Sequence, residues 1–267
     1  MGRRIHVAIV SHGNASEVAL LLGDLERHAA NAEISVLLVV NQEEPLSFET
    51  HRFAFPLRIH RNQHPRGFGA NNNLAFRLAA PSADEFFCII NPDVRIHHEV
   101  FEPLLACLEQ EPAAALVAPL AKNRLGATED NARALPRPAT ILRKALGKPD
   151  RSVIPDDKAQ PVDWVAGLFM LFTARGYAAV GGFDERYFLY YEDVELCSRL
   201  RLAGWQVLWS PAASVQHDAR RASHRRISYL MHHLRGMARF FLSDTYRRSV
   251  HLPQAVRRPA DRDEPNC

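Results

Sequence analysis

The sequence predicts an α/β fold in which a mostly parallel central sheet is flanked by helices. Short apolar runs alternate with segments of helical period along the first half of the chain. This alternation is typical of parallel strands joined by crossover helices. Hydrophobic residues make up 47% of the 267 residues, which is enough for one large core and argues against a disordered chain.

The first half of the chain supplies most of the predicted elements. Apolar runs bounded by polar residues predict strands, because buried strands read as continuous apolar stretches. These strands lie at 5–11, 34–40, 57–60, 86–90 and 114–119. Segments with apolar residues three and four positions apart predict helices at 16–30, 71–80 and 100–109. Gly67 and Gly69 lead into the second of these helices.

The second half of the chain is less regular. Residues 122–161 contain several prolines and show no sustained period, which predicts a long excursion with a short helix near 141–146. Regular structure resumes at 162–173, and further elements are a strand at 206–209 and a helix at 226–246. We therefore expect one domain over 1–250, ending in a basic helical segment at about 220–250, and a disordered tail over 251–267.

Composition narrows the class of protein. The net charge of +3 is a weak signal for a polyanionic partner, and the basic residues come without a nucleic-acid-binding motif, so we expect no nucleic acid. No apolar run has the length of a membrane span. We expect a cytoplasmic protein, with peripheral contact at the inner face of the cell membrane as a further hypothesis. The widely spaced cysteines predict free thiols: Cys88, Cys107, Cys197 and Cys267.

Polar residues follow three of the predicted strands. They are Ser11-His12-Gly13-Asn14, Asn41-Gln42 and Asn91-Pro92-Asp93. Because ligands of parallel α/β sheets lie beyond the carboxyl ends of the strands, these residues are expected to share one crevice. Asp93 has the hard oxygen ligand that a divalent cation needs beside substrate phosphates. The alternative is an aspartate that caps a strand-ending turn.

The most informative segment is 181–199. Two glycines open a turn, an aromatic run follows, and Glu192 and Asp193 come directly after Tyr190 and Tyr191. Carboxylates beside aromatic rings are costly to desolvate, and aromatic faces next to acids suit a sugar. A positioned carboxylate can take the proton from an attacking hydroxyl. The competing interpretation places these acids at the amino end of a helix, where the helix dipole favours them.

This segment resembles the acceptor-side motif of inverting nucleotide-sugar glycosyltransferases of family 2, which have the GT-A fold. The resemblance covers about 7–248 and is closest to the rhamnosyltransferase-like members. It implies that Asp193 is the catalytic base and that Glu192 supports the acceptor or orients Asp193. It also implies acceptor contacts from Trp164, Tyr190 and Tyr191.

The resemblance further implies a metal-dependent donor site. Asn91-Pro92-Asp93 matches the N-x-D form of the metal motif, so Asp93 would bind Mg²⁺ or Mn²⁺, and His217 would complete the site. The segment 62–73 matches a stretch that contacts the nucleotide. The donor residues carried over are Ser11, Asn14, Asn41, Asn62, Arg66, Gly69, Asn73, Asp93 and Gly167.

Two departures from the family pattern concern the nucleotide. The first strand ends in Ser11-His12-Gly13-Asn14 where Thr/Ser-Tyr-Asn is usual. The second ends in Val39-Val40-Asn41-Gln42 where Val-Asp-Asn is usual. The acid that reads a pyrimidine base is therefore missing, and Asn41 or Gln42 is left to contact a uracil or thymine edge.

These observations lead to one functional hypothesis and two rivals. The chain is expected to transfer a sugar with inversion, with dTDP-rhamnose as the first donor and UDP-linked sugars as the alternative, to a glycan or lipid-linked acceptor of bacterial surface polysaccharide assembly. One rival is a non-catalytic nucleotide- or glycan-binding module. The other, a nucleotidyltransferase, needs a glycine-rich basic loop after the first strand, and 11–14 has one glycine and no Lys or Arg.

The basic helical segment has two interpretations. Its arginines surround apolar residues, as in helices that lie on anionic membranes. The alternative is a helix packed on the domain with a solvated basic face. The arginines are Arg220, Arg221, Arg225, Arg226, Arg235, Arg239, Arg247 and Arg248.

Overall fold

A computed structural model describes residues 3–29, 32–145, 158–217 and 227–255. The strands are β1 (Ile5–Ser11), β2 (Ile34–Val40), β3 (Leu57–Arg61), β4 (Phe86–Ile90), β5 (Val94–Arg95), β6 (Ala114–Lys122), β7 (Ala132–Arg133), β8 (Gln160–Pro161), β9 (Trp164–Val165), β10 (Phe169–Thr173) and β11 (Gln206–His217). The helices are α1 (Ala15–His28), α2 (Phe68–Ala79), α3 (Phe101–Gln110), α4 (Pro138–Ala145), α5 (Ala174–Ala179), α6 (Glu192–Leu202), α7 (Ile227–Phe241) and α8 (Asp244–Ser249).

The predicted α/β sheet is confirmed. Its strand order is β3-β2-β1-β4-β10-β6-β11-β5, with β8 paired to β11. Strands β1 to β4 are parallel to one another, and β11 is parallel to β6. Strand β10 runs antiparallel between β4 and β6. Its first residues therefore lie at the edge where β4 and β6 end.

Two apolar clusters cover the two faces of the sheet. One contains the inner sides of α1 and α3, including Leu21 and Leu104. The other contains residues of α5, α6 and α7, including Tyr177, Leu196 and Phe240. Strand residues alternate between the two clusters, as the two-residue period of a sheet requires. No helix in the described ranges is both long and apolar enough to cross a membrane.

The excursion after β6 is more ordered than the predicted loop. Strand β7 pairs with β9, so the first part of the excursion is folded back onto the domain. Buried Asn131 holds this turn, because its Nδ2 donates to Pro119 O at 2.9 Å and its carbonyl accepts from Ala166 N at 2.8 Å. Helix α4 begins at Pro138, three residues before the predicted start. Residues 146–157 and most of the predicted tail, 256–267, lie outside the described residues.

The predicted single helix at 226–246 is wrong in one respect. Helix α7 ends at Phe241 and α8 begins at Asp244. Ser243 separates them, because its Oγ accepts from Tyr246 N at 3.1 Å and caps α8. The serine-aspartate pair is a standard start signal for a new helix, although the apolar period of the sequence continues across it.

Candidate active site

One end of the candidate site is formed where β4 and β11 finish, and it carries the predicted metal ligands. The turn after β4 carries Asp93, and β11 continues to His217, well beyond the predicted strand at 206–209. The pairing of β11 with β5 sets His217 opposite Val94. His217 Nε2 consequently lies 3.7 Å from Asp93 Oδ2. The two predicted metal ligands are therefore neighbours.

The other nitrogen of this imidazole is fixed by a residue that sequence reasoning did not identify. His217 Nδ1 lies 2.7 Å from Glu129 Oε2. Glu129 therefore holds the ring through Nδ1, and Nε2 is the nitrogen on the side of Asp93. A carboxylate behind a metal-binding histidine is the usual supporting arrangement.

This donor set fits a divalent cation. An imidazole nitrogen beside a carboxylate oxygen suits Mn²⁺ or Mg²⁺. Within the described residues there is no group of three or more His, Cys, Asp or Glu side chains placed to hold a metal ion. Two protein ligands leave the remaining positions for substrate phosphates, which is how Mg²⁺ is commonly held.

The other end of the candidate site is the first turn of α6, which carries the predicted base. Asp193 Oδ1 accepts from Val194 N at 2.8 Å, and Asp193 Oδ2 accepts from Gly167 N at 3.2 Å. Burial raises the pKa of Asp193, while these hydrogen bonds and the charge of Arg133 oppose the rise. A carboxylate with a raised pKa is a stronger base than an ordinary aspartate.

Gly167 connects the two ends. Its amide donates to Asp193, and the carbonyl of the next residue, Leu168, accepts from Asn91 N at 2.8 Å. A side chain at Gly167 would have its Cβ 3.2 Å from the ring of Phe68. The dipeptide that precedes β10 therefore bridges the turn that carries Asp93 and the helix that carries Asp193.

Glu192 is an unusual carboxyl. It is buried, and no hydrogen-bond partner of its Oε2 occurs among the described residues. Its burial and the charge of Asp193 raise its pKa well above the ordinary value of 4.5. By contrast Glu195, one turn further, is paired at 2.7 Å with Arg199. The capping interpretation therefore accounts for Glu195 and leaves Glu192 unexplained.

This burial makes stability depend on pH. A raised pKa means that the folded state holds the proton of Glu192 more tightly than the unfolded state. The stabilisation is therefore present below the ordinary pKa and is lost as pH rises through the folded pKa. We expect Glu192→Gln to be more stable than the wild type near pH 8, where relief of about 1 kcal/mol raises Tm by about 2 to 4 °C.

Glu195→Gln is the matched control for that experiment, because it removes a buried ion pair and should lower Tm at the same pH. Thermal unfolding of the three proteins across pH measures both effects. A Glu192→Gln variant that is less stable than the wild type near pH 8 would contradict the interpretation.

The backbone before Glu192 is strained and held by α7. Tyr190 and Tyr191 both have φ of 70°, a region that costs bulky residues about 1 kcal/mol or more. Helix α7 approaches so closely that a Cβ at Gly236 would collide with the carbonyl of Tyr190. His233 packs edge-on against both tyrosine rings. Both rings stay partly exposed at the crevice, so their predicted acceptor contacts remain predictions.

Part of the predicted donor set forms an amide network instead. Asn41 Oδ1 accepts from Arg66 N and from Asn62 Nδ2, each at 2.8 Å. Asn41 Nδ2 donates to Arg66 O at 2.9 Å and to His12 Nδ1 at 3.1 Å. Asn41 has no hydrogen-bonding position left for a nucleotide base.

Arg66 is the residue that this network positions. Both the backbone N and the backbone O of Arg66 are hydrogen-bonded to the Asn41 amide, while the Arg66 side chain is exposed. The guanidinium has no hydrogen bond or ion pair to any described residue. It is therefore available for the predicted diphosphate contact.

Asn73 and Gly69, both predicted to bind the donor, instead contact another part of the protein. Asn73 Oδ1 accepts from Phe183 N at 2.9 Å and from Tyr177 Oη at 2.7 Å, and its Nδ2 donates to Phe183 O at 2.9 Å and to Glu185 Oε1 at 3.1 Å. A Cβ at Gly69 would lie 2.6 Å from Phe183 Cβ. Both residues hold the turn that leads into the aromatic segment, because their contacts are with this turn.

The loop after β1 is occupied by a carboxylate of the chain itself. Glu44 accepts from Ala15 N at 2.9 Å and from Gly13 N at 3.3 Å, at the amino end of α1. Ser11 is fully buried, and its Oγ accepts from Asn14 N at 3.3 Å. Ser11 thus supports the loop, and the half-buried side chain of Asn14 remains a predicted donor contact.

Trp164 is buried under the excursion. Its Nε1 donates to Ala134 O at 2.9 Å, and the Arg133 guanidinium lies 5.1 Å from its ring centre. For Trp164 these contacts favour packing in the core over the predicted acceptor contact. Arg133, whose charge acts on Asp193, was not identified from the sequence, since nothing in the irregular segment marks it.

Comparisons with known proteins identify the family of the chain. The sequence profile described as "Glycosyltransferase like family 2" matches residues 3–237. The rhamnosyltransferase WbbL of Escherichia coli K12 is 27% identical over 223 residues, covering 80% of this chain and 83% of WbbL. The N-acetylglucosaminyl-diphospho-decaprenol L-rhamnosyltransferase of Mycobacterium tuberculosis is 32% identical over 150 residues, covering 51% of this chain. Only 48% of that relative is matched.

A solved structure shows the same fold. The mannosyltransferase PcManGT of Pyrobaculum calidifontis, in complex with GDP-Man and Mn²⁺, superposes with a TM-score of 0.61 at 14% identity. The superposition covers 96% of this chain and 66% of that one.

Proposed function

Because the chain belongs to glycosyltransferase family 2 and has the GT-A fold, we propose that it transfers a sugar from a nucleoside diphosphate to an acceptor hydroxyl with inversion of configuration. The family and its rhamnosyltransferase relatives identify the chain as an enzyme. The alternative of a non-catalytic binding module is therefore not retained. The observation that carries the mechanism is the carboxylate of Asp193, which accepts from Gly167 N, while the next residue, Leu168, bonds to the turn that carries Asp93.

In this mechanism Asp193 takes the proton from the acceptor hydroxyl. The freed oxygen attacks the anomeric carbon from the face opposite the leaving group, and the bond from that carbon to the diphosphate breaks. The proton ends on Asp193 and the nucleoside diphosphate departs with the bonding electrons. The amide of Gly167 holds the carboxylate in place during this transfer.

At the donor site, positive charge would balance the negative charge of the diphosphate. Asp93 and His217 would hold Mg²⁺ or Mn²⁺, with Glu129 orienting His217. When bound, such a cation neutralises charge that develops on the leaving diphosphate. The exposed guanidinium of Arg66, placed by Asn41, provides a second positive charge for the same group.

We propose dTDP-rhamnose as the donor and a lipid-linked glycan as the acceptor. The similarity to two rhamnosyltransferases supports the sugar, and the name of the mycobacterial relative supports an acceptor on a diphospho-lipid. Because the side-chain amide of Asn41 is fully hydrogen-bonded within the protein, Gln42, two residues after β2, is our candidate for contacting the base.

Calorimetric titration tests the donor half of this proposal. We expect dTDP and UDP to bind only weakly without Mn²⁺ and at least about ten-fold more tightly with it. Asp93→Asn should remove that metal dependence, and Glu129→Ala should weaken Mn²⁺ binding by about ten-fold. Asp84→Asn is the matched control, because Asp84 is an exposed aspartate before the opposite end of β4.

Nuclear magnetic resonance of the product tests the acceptor half, because inversion gives the anomer opposite to that of the donor. Nucleotide binding that ignores Mn²⁺ would contradict the metal assignment. A product that retains the donor configuration would contradict the role of Asp193.

A further inference from the structure

Exposed large apolar side chains gather at one place on this protein. Of those in the described residues, only Leu20 and Leu125 lie elsewhere. The others lie on α7, just after it, or on the aromatic segment beneath it. They are Leu230 (50% exposed), Met231 (43%), Leu234 (43%), Leu242 (80%) and Phe188 (46%). A gathered apolar patch of this kind marks an interaction surface.

The spacing along α7 places several of these residues in one continuous row on the surface of the helix. Leu230 and Leu234 are four positions apart, and exposed Ala238 and Leu242 continue the row at the same interval. Arg235 and Arg239, both exposed, form a parallel row beside it. We call these two rows the outer face of α7.

The inner side of α7 packs against the rest of the domain. Phe240 is fully buried, and Gly236 packs on the backbone of Tyr190. His232 stacks on Phe188 with ring centres 4.8 Å apart. The helix is thus attached to the domain through one side, and its apolar residues are divided between that side and the outer face.

The stretch of chain that contains α7 carries charge of one sign up to Asp244. Residues 219–243 contain no Asp or Glu, and arginines occur both on α7 and in the segment before it. Those at 220, 221, 225 and 226 lie outside the described residues. A helix with apolar side chains next to arginines suits the boundary of an anionic bilayer, where the apolar groups enter the acyl region and the guanidinium groups meet phosphates.

We propose that the outer face of α7 docks on an anionic lipid bilayer. The inference rests on the proposed function in one respect, since a lipid-linked acceptor explains why an enzyme would need such a surface. Because α7 packs directly on Tyr190 and Tyr191, docking brings the acceptor end of the crevice to the membrane surface. The lipid-linked acceptor can then reach the enzyme by diffusion within the plane of the membrane.

Co-sedimentation with vesicles tests the proposal. We expect the full chain to bind vesicles of phosphatidylcholine containing phosphatidylglycerol, and to bind phosphatidylcholine vesicles much less. Leu234→Ser should lower the partition coefficient by about ten-fold. Leu125→Ser is the matched control, because Leu125 is 93% exposed on a turn far along the chain from α7 and should change nothing.

A second pair of variants tests the charge. Arg235→Gln should lower binding to the anionic vesicles by about five-fold, whereas Arg52→Gln, an exposed arginine elsewhere, should leave it unchanged. Added salt should weaken binding of the wild type. Equal binding of Leu234→Ser and wild type would overturn the proposal.

Two further measurements keep this test separate from the test of function. Mn²⁺-dependent nucleotide binding should be the same in Leu234→Ser and wild type, so a protein that binds nucleotide but no vesicles contradicts only the docking proposal. Analytical ultracentrifugation tests the alternative that a second copy of the chain binds this face. A wild-type dimer that Leu234→Ser converts to a monomer would show that a second copy, and not lipid, covers this face.

Discussion

Asp193→Asn is expected to lower the rate of sugar transfer by about a thousand-fold, while nucleotide affinity stays within about three-fold of the wild type. Asparagine has nearly the same shape, so it can still accept one of the two backbone hydrogen bonds, from Gly167 or Val194. What it cannot do is take a proton from the acceptor. The loss should therefore appear in kcat, with little change in the KM of the donor.

The control is Asp184→Asn in the same segment. Asp184 is paired with the exposed Arg186 and was not assigned to the site. Its variant should retain most of the activity. The pH profile gives an independent reading, because the rate of the wild type should rise with pH as Asp193 ionises, at a pH above that of an ordinary aspartate. Retention of more than about a tenth of the activity by Asp193→Asn would rule out this base.

The second large effect is expected at Gly182. Gly181 and Gly182 have φ of 71° and 70°, so alanine at either position costs about 1 kcal/mol. The space around them differs. A Cβ at Gly181 meets nothing within 4 Å, whereas one at Gly182 collides with Asn73 Oδ1 and lies 2.9 Å from the ring of Tyr177. Overpacking should add about 1 to 3 kcal/mol to the cost of Gly182→Ala.

The two variants control for each other, because they share the substitution and the backbone strain. Urea unfolding measures the difference in the free energy of unfolding. Gly182→Ala should also lose more activity, because it displaces Asn73, which holds Phe183 and thereby the segment that leads to Asp193. Equal stabilities of the two variants would show that the fit of Asn73 into this turn has no energetic importance.

The sequence predicts the sheet well because burial leaves a local signature. Strands β1, β2 and β4 begin and end where their apolar runs do. The reach of β11 to His217 could not be predicted, because Pro211 and the alanines after it interrupt the apolar pattern. The sheet pairing of Gln216 and His217 with β5 extends the strand, and this pairing depends on a distant part of the chain.

The residues of the candidate site were likewise predictable from the sequence only in part. Asp93 and His217 could be placed together because the family resemblance assigns both residues to one metal site. Glu129 and Arg133 were missed because they lie in a segment without period, and only the fold of the excursion brings them to the crevice. A family motif gives residue types but not the direction of a side chain, so Asn41 and Asn73 were assigned to the donor although their amides hold the protein's own loops.

The reversed direction of β10 has a consequence for how such an enzyme can vary. Because β10 enters the sheet at the edge where β4 and β6 end, the backbone of the Gly167-Leu168 dipeptide bonds both to Asp193 and to the turn that carries Asp93. Two adjacent residues thus fix the spacing of the candidate reacting groups, and that spacing can be inherited unchanged while side chains elsewhere vary with the acceptor.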